Sequence, residues 1–338
     1  MRFADVVGHE GAIARLAQIA ADDRPAAAYL VTGPAGVGKR LLVDAFAARL
    51  LCTDPTDDDA CGACAQCVRL IAGTHPDVRI VVRDDDRRDI RTEQARELTR
   101  WLGLRPLMAA RKVAIIDGAE CLNEHGQNAL LKTLEEPPGA SVLLLVATRV
   151  SLLLPTVRSR CQQVRLDPLP AASLERLLVG RDVPATQATL LAARAAGSPG
   201  RALSLVDDPD AALRSTVLER LAHLPDLSAA DVSGMAQKLA KDSADAVLET
   251  IVAWYRDLLG LAAGAPMPLR NPDAQPALDA AAARTTTSTV LRQLEVVCDT
   301  VDAIGRNANK VLALETMLLA LRQLERHPVR DAAWTTTS

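Results

Sequence analysis

The segment from residue 28 to residue 51 constrains the fold of this chain more than any other part of its sequence. Ala28–Thr32 is an apolar run that predicts a buried strand, and Lys39–Leu51 has the pattern of a helix. The turn between them is Gly33-Pro-Ala-Gly36-Val-Gly38-Lys39, which fits the phosphate-loop pattern. In such a loop the glycines let backbone N–H groups face phosphates, and the lysine reaches the terminal phosphates. A chance glycine-rich turn is the alternative, but the flanking strand and helix favour a phosphate-loop fold.

Four further apolar runs follow this segment, and helical patterns separate them. We predict strands at Val78–Val82, Val113–Asp117, Ser141–Thr148 and Cys161–Leu166, and helices at Gly11–Ala21, Arg91–Leu102 and Glu124–Glu136. Continuously apolar strands that alternate with helices indicate a parallel sheet covered on both faces. Residues 1–166 are therefore predicted to form an α/β domain.

The strand signal stops after residue 166, and the rest of the chain has helical patterns. Pro168 and Pro170 mark a hinge, which precedes a compact helical segment predicted over 167–206. Residues 207–331 are predicted to form an all-α domain, because apolar residues recur there at helical spacing. The tail 332–338 has no such pattern, and we expect it to be disordered.

The bulk composition argues against a protein that binds nucleic acid by itself. The formal net charge is -3, whereas free-standing binders usually carry a basic surplus. Aromatic residues make up only 2% of the chain, so it offers few platforms on which bases could stack. We expect DNA contacts to be local or shared with partner chains. Because no segment has the pattern of a signal peptide or a membrane span, we also expect a cytoplasmic protein with no membrane partner.

Four of the seven cysteines fall within sixteen residues. Cys52, Cys61, Cys64 and Cys67 have the spacing C-x8-C-x2-C-x2-C, which suits a closed zinc site of four thiolates. Such a site has no open coordination position, so we predict a structural zinc that stabilises a module at 52–67 with little core of its own. Free thiols in a loop are the alternative. His75 is close in sequence, but four sulfurs already complete the shell, and we interpret it as a loop residue.

The phosphate loop lacks residues that ATP hydrolysis needs. The pattern requires Ser or Thr after its lysine, because that hydroxyl ligates magnesium, and this chain has Arg40 there. Asp117, at the end of a predicted strand, could hold magnesium through water. The next residue is Gly118, which has no carboxylate that could activate the attacking water. We therefore expect the binding of ATP and magnesium to be weak or absent.

These features together resemble the bacterial clamp-loader family of AAA+ proteins, and the resemblance covers nearly the whole chain. In that family the four-cysteine spacing directly after the phosphate-loop helix is characteristic of the gamma/tau and delta-prime subunits. The other segments that carry the resemblance are Gly73–Val78, Ile90–Leu98, Asn128–Pro138, Ala147-Thr148, Ser159-Arg160-Cys161, Trp254–Asp257 and Asn307–Asn309 with Leu314-Glu315.

The resemblance implies a RecA-like AAA+ domain with its zinc module, a helical lid, and a helical collar that joins five subunits in a ring. The partners it implies are gamma/tau and delta subunits, and, through the complex, a sliding clamp and primer-template DNA. Thr148 resembles the sensor-one position. Arg160 would act in trans on ATP held by the neighbouring subunit, whereas a surface salt bridge is its ordinary interpretation.

Three departures from the motor subunits favour a delta-prime-like, non-hydrolysing member. Arg40 replaces the metal ligand, Gly118 replaces the usual glutamate, and Gly200 replaces an arginine that contacts nucleotide. An active ATPase motor subunit of the gamma/tau type is the second hypothesis. A zinc-dependent nucleic-acid binder with a relic ATPase fold is the third, and the low aromatic content and negative charge disfavour it.

Overall fold

The computed structural model describes residues 1–22, 25–84, 89–265 and 267–329, which fall into two compact units. The first unit contains residues 1–182 and 196–203, and the second contains residues 183–195 and those from 204 onward. The segment 167–206, predicted as a lid, is shared between the two units. The tail 332–338, predicted to be disordered, lies outside the described residues.

The first unit is built on a five-stranded parallel sheet with the order β2-β3-β4-β1-β5. The strands are β1 (Ala28–Thr32), β2 (Val78–Val81), β3 (Lys112–Asp117), β4 (Ser141–Ala147) and β5 (Gln162–Arg165). Every residue of β1 and β4 is buried, because helices cover both faces of the sheet at its centre. Because β1 lies between β4 and β5, the loop that follows β1 begins between the ends of these two strands.

Eight helices accompany this sheet in the described part of the unit. They are α1 (Glu10–Ala21), α2 (Lys39–Leu51), α3 (Ala65–Ile71), α4 (Thr92–Leu102), α5 (Glu124–Glu135), α6 (Pro155–Arg158), α7 (Ala171–Val179) and most of α9 (Pro199–Ser204), numbered in chain order. One apolar core lies between α1, α2, α3 and the sheet, and another lies between α4, α5 and the opposite face. Asn123 begins α5 by accepting the N–H of Gly126 at 2.8 Å, which satisfies one of its free donors.

The second unit contains helices and connecting loops, with no strand among its described residues. Its helices are α8 (Ala185–Ala195), α10 (Ala211–Ala222), α11 (Ala229–Leu239), α12 (Ala244–Ala262), α13 (Gln275–Ala282), α14 (Thr287–Gly305) and α15 (Lys310–Arg326). Trp254 and Tyr255 of α12 are fully buried in its core. Asp257 accepts the N–H groups of Arg270 and Asn271, so this part of α12 holds the loop before α13.

The α/β fold followed by a helical region, predicted from the sequence, is confirmed. The predicted ends of the strands and helices in the first unit agree with the observed ends within one residue. Within the described residues, no helix has both the length and the apolar content that crossing a membrane requires.

Candidate functional site

The phosphate loop joins β1 to the first turn of α2, with Gly38 as the residue before the helix. Gly36 has a positive φ of 70°, and a Cβ placed on it would lie 2.4 Å from Ser198 Oγ. Only glycine fits there, because the backbone is in the left-handed region and a neighbouring segment lies directly on it.

The ammonium group of Lys39 is bonded to the loop itself. Its Nζ donates to the carbonyl oxygens of Gly33 and Pro34, both at 2.7 Å. The side chain is buried, and burial lowers the pKa of the ammonium despite the nearby Glu120 and Asp117 carboxylates. The lysine that would reach phosphates is therefore directed at backbone carbonyls.

Arg40 occupies the place where the pattern calls for a magnesium ligand. Its Nε donates to both carboxylate oxygens of Asp44, at 2.9 and 3.0 Å, and its Nη1 donates to Asp117 Oδ2 at 3.1 Å. Burial raises the pKa of Asp44, and its bonds to Arg40 act in the opposite direction. The guanidinium thus pairs with both carboxylates and supplies positive charge at the place where a metal cation would bind.

A second segment of the same unit covers the loop. The N–H of Gly200 donates to the carbonyl oxygen of Gly36 at 2.9 Å. A Cβ on Gly200 would lie 3.1 Å from that oxygen and 3.3 Å from the Gly36 Cα, so a larger residue would push the segment away. Gly200 therefore contacts the loop through its backbone.

All the predicted nucleotide-site residues except Gly33 line one cavity of about 340 Å³. Its described lining includes Gly36, Gly38, Lys39, Arg40, Asp117, Gly118 and Thr148. The end of β4 is fixed there by Glu120, whose Oε1 accepts the N–H groups of Thr148 at 2.9 Å and Arg149 at 3.3 Å. In this cavity Arg40 is paired with Asp44 and Asp117, and Lys39 is bonded to backbone carbonyls of the loop.

The four predicted metal ligands converge after α2. The sulfur atoms of Cys52, Cys61, Cys64 and Cys67 all lie within 4.8 Å of one another, and Cys52 Sγ is 3.6 Å from Cys61 Sγ and 3.9 Å from Cys64 Sγ. A zinc–sulfur bond of about 2.3 Å places the sulfurs of a tetrahedral site about 3.8 Å apart. These distances are too long for a disulfide, whose S–S bond is about 2.05 Å. The cluster therefore fits a four-sulfur metal site.

Hydrogen bonding and burial shift the pKa values of two cluster thiols in opposite directions. Burial raises the pKa of Cys67, and its hydrogen bonds with the sulfurs of Cys64 and Cys52 raise that pKa further. Burial acts in the same direction on Cys64, but hydrogen bonds from the Cys67 N–H and from Thr53 outweigh it and lower the Cys64 pKa to about 5. Four thiolates this close cannot all be ionised unless a cation lies between them.

A polar network links the cysteine module to the sheet. His75 is buried, and its Nε2 lies 2.7 Å from Gln66 Oε1 on α3, while Gln66 Nε2 donates to the carbonyl of Met108 at 3.0 Å. The buried Asp77 carboxylate accepts three further N–H groups from residues 107–109. The interpretation of His75 as a loop residue agrees with this position, and its role is to fasten α3.

Arg160 lies between α6 and β5. Its Nε donates to Glu135 Oε1 at 2.6 Å, its Nη2 contacts the same oxygen, and its Nη1 donates to the carbonyl of Thr156 at 3.0 Å. Its side chain is 35% exposed. Of the residues that the structure describes, those lining the phosphate-loop cavity do not include Arg160.

Two family models match the chain. The model described as DNA polymerase III, delta subunit, matches residues 8–170, and the one described as the C-terminal part of the same subunit matches residues 210–323. The chain belongs to the DNA polymerase III delta-subunit family. The clamp-loader resemblance seen in the motifs is thereby confirmed.

Curated relatives carry related names. DNA polymerase III subunit delta' of Pseudomonas aeruginosa is 46% identical over 51% of this chain and 53% of its own length. The Escherichia coli subunit of that name is 35% identical over 58% of this chain and 59% of its own length. The tau/gamma subunit of Haemophilus influenzae is 36% identical over 61% of this chain and 30% of its own length. The matched part of the chain thus spans between half and three fifths of the two delta' relatives.

Two solved structures are similar to this chain at low sequence identity. A gamma subunit-related protein of DNA polymerase III from Thermotoga maritima has a TM-score of 0.43 and 17% identity, covering 93% of this chain and 99% of its own. A mutant of RuvB from Thermotoga maritima has a TM-score of 0.44 and 17% identity, covering 76% of this chain and 77% of its own.

Several residues of these sites were missed in the sequence. Asp44 could have been found, because it lies one helical turn after Arg40 and has the opposite charge. The roles of Glu120 and Glu135 could not be inferred from the neighbouring sequence, because each contacts a residue that is distant along the chain.

Proposed function

We propose that this chain is the delta-prime subunit of a bacterial DNA polymerase III clamp loader, in which it hydrolyses little or no ATP. Its role is to complete the ring of subunits and to supply an arginine to a neighbouring ATPase site. The observation that carries the proposal is the ion pair between Arg40 and Asp117. A positive side chain that is already bonded to the metal-binding aspartate competes with magnesium, which hydrolysis requires.

Two contacts and one missing side chain further support the view that the loop is kept for structure. Lys39 is directed at the loop carbonyls, Gly200 is bonded to the loop backbone, and Gly118 offers no carboxylate to activate water. Arg40 and Gly118 remove different parts of the hydrolytic apparatus, so we expect that reverting either one alone does not restore activity.

We further propose that Arg160 acts in trans. It lies at the surface of its unit with its guanidinium partly exposed, and it does not line its own cavity among the described residues. An arginine supplied by a neighbour stabilises the charge that develops on a transferring phosphoryl group. The delta' names of the relatives in Pseudomonas aeruginosa and Escherichia coli favour the same assignment.

The remaining proposals follow from this role. We propose that the cysteine cluster holds one structural zinc, since its sulfur spacing and closed coordination suit that ion. The helical lid at 167–206 and the collar at 207–331 remain our proposed domain division. Gamma/tau and delta subunits are the proposed ring partners, with the sliding clamp and primer-template DNA reached through the complex in the cytoplasm.

Steady-state ATP hydrolysis tests the proposal. The isolated chain with ATP and magnesium is expected to show no turnover above background, whereas a gamma/tau-type motor subunit measured beside it does. Turnover by the isolated chain at a rate comparable to that motor subunit would establish the second hypothesis, an active ATPase subunit.

A further inference from the structure

Arg160 is already bound within its own chain. Two of its nitrogens, Nε and Nη2, contact one carboxylate oxygen of Glu135, and the third, Nη1, donates to the Thr156 carbonyl. Three of the five guanidinium N–H donors are therefore used, and two remain to bond an incoming anion. The side chain has a defined direction before any neighbouring subunit is present.

The fold places Glu135 opposite Arg160. Glu135 is the last residue of α5, and Arg160 follows α6, which contacts α5. Near the start of α5 the buried Gln127 accepts the N–H of Leu154 at 2.7 Å and donates to the carbonyl of Leu152 at 3.1 Å. The segment that carries Arg160 is thus fastened to α5 at both ends of the helix.

We propose that Glu135 is a positioning residue for Arg160, holding the guanidinium in the direction from which it reaches the neighbour's phosphate. The inference rests on the trans role of Arg160 proposed above. Glu135 does not contact the nucleotide; it acts through the arginine.

The strength of the pair suits this role. Both side chains are partly exposed, Arg160 by 35% and Glu135 by 48%. Ion pairs as exposed as this contribute little to stability, so the contact serves to orient the arginine, whose two remaining N–H donors can bond a phosphate. Preorganisation of this kind lowers the reorganisation needed in the transition state, and small errors in placement can cost up to about 10²-fold in rate.

The first experiment uses the isolated chain. We expect the Nε–Hε signal of Arg160 in an ¹⁵N spectrum, identified by its disappearance in R160K, to exchange slowly with solvent in the wild type. In E135A it should exchange as fast as exposed arginines, and in E136A, the neighbouring exposed glutamate, it should be unchanged. A signal unaffected by E135A overturns the inference, whatever the loader assays give.

The second experiment uses the reconstituted loader. E135A is expected to lower the DNA- and clamp-stimulated kcat for ATP toward the value of R160A with an unchanged KM, and E136A to leave it unchanged. E135Q keeps an acceptor oxygen and should restore most of the rate, which a change in folding would not explain. Adding E135A to R160A should cause no further loss.

The outcomes separate the two proposals. A loader slowed by R160A but not by E135A refutes the positioning role and leaves the trans role standing. A loader unaffected by R160A refutes both. A rate that rises in E135A identifies Glu135 as a restraint on the arginine, which also contradicts the inference.

Discussion

Replacing Arg40 by alanine is expected to destabilise the first unit in a pH-dependent way. Charge-assisted hydrogen bonds are each worth about 1.5–3 kcal/mol. The side chains of Arg40 and Asp117 are 34% and 33% exposed, so solvent reduces the contribution of their bond to stability. The Asp44 side chain is only 12% exposed, so its bond to Arg40 contributes more. We therefore expect R40A to lower the free energy of unfolding by about 2 kcal/mol at pH 7, mostly through the unpaired Asp44.

The pH dependence has a definite sign. Burial already raises the pKa of Asp44 above 3.8, and losing Arg40 raises it further. An acid whose pKa is higher in the folded state binds its proton more tightly there, so the folded state loses stability as pH rises from 3.8 through that raised pKa. The difference between R40A and the wild type should thus shrink as pH falls.

Urea unfolding at pH 5 and pH 8 measures this difference. D44N in the R40A background is the matched control, because it removes the unpaired carboxylate and should recover most of the loss. Equal stabilities of R40A and the wild type at pH 8 would refute the assignment of Arg40 as the charge partner of Asp44.

Two further predictions concern other parts of the chain. Metal analysis of reduced protein purified without added zinc should give close to one zinc per chain. The C61S variant should lose the metal and unfold at a lower temperature. Folded wild-type protein with a zinc stoichiometry near zero would contradict this prediction. Burial raises the pKa of Glu325 to about 7, although its hydrogen bond with the Tyr255 hydroxyl acts in the opposite direction. The free energy of unfolding of the helical unit should therefore fall by up to about 3 kcal/mol as pH rises from 4.5 to 7. E325Q should flatten that dependence in thermal unfolding, and an unchanged pH profile would show that Glu325 is not the group responsible.

The features that could be predicted from sequence are local ones. Strands and helices follow from periodicity, and the metal site follows from cysteine spacing over sixteen residues. The short helix α3 was not predicted, because it begins inside the cysteine module and is too short for a helical pattern to emerge.

The contacts that determine function depend on the assembled fold. Arg40 could be identified as a departure from the phosphate-loop pattern, but its bond to Asp117 joins residues 77 positions apart. The contact of Glu135 with Arg160 similarly requires α5 and α6 to lie together. Periodicity reports which face of a helix is apolar, and it does not report which charged side chains meet across elements.

The central claim is that this chain contributes to hydrolysis through Arg160 and not through its own phosphate loop. Clamp loading by a reconstituted loader tests it directly when R160A and K39M are compared in the same assay. Removing such an arginine can lower the rate of hydrolysis at one ATPase site by roughly 10³-fold. Because the other sites keep their arginines, the rate of the whole ring falls by less. We predict that R160A loads clamps more slowly than the wild type and that K39M loads them at the wild-type rate. Normal loading by R160A with impaired loading by K39M would contradict the account.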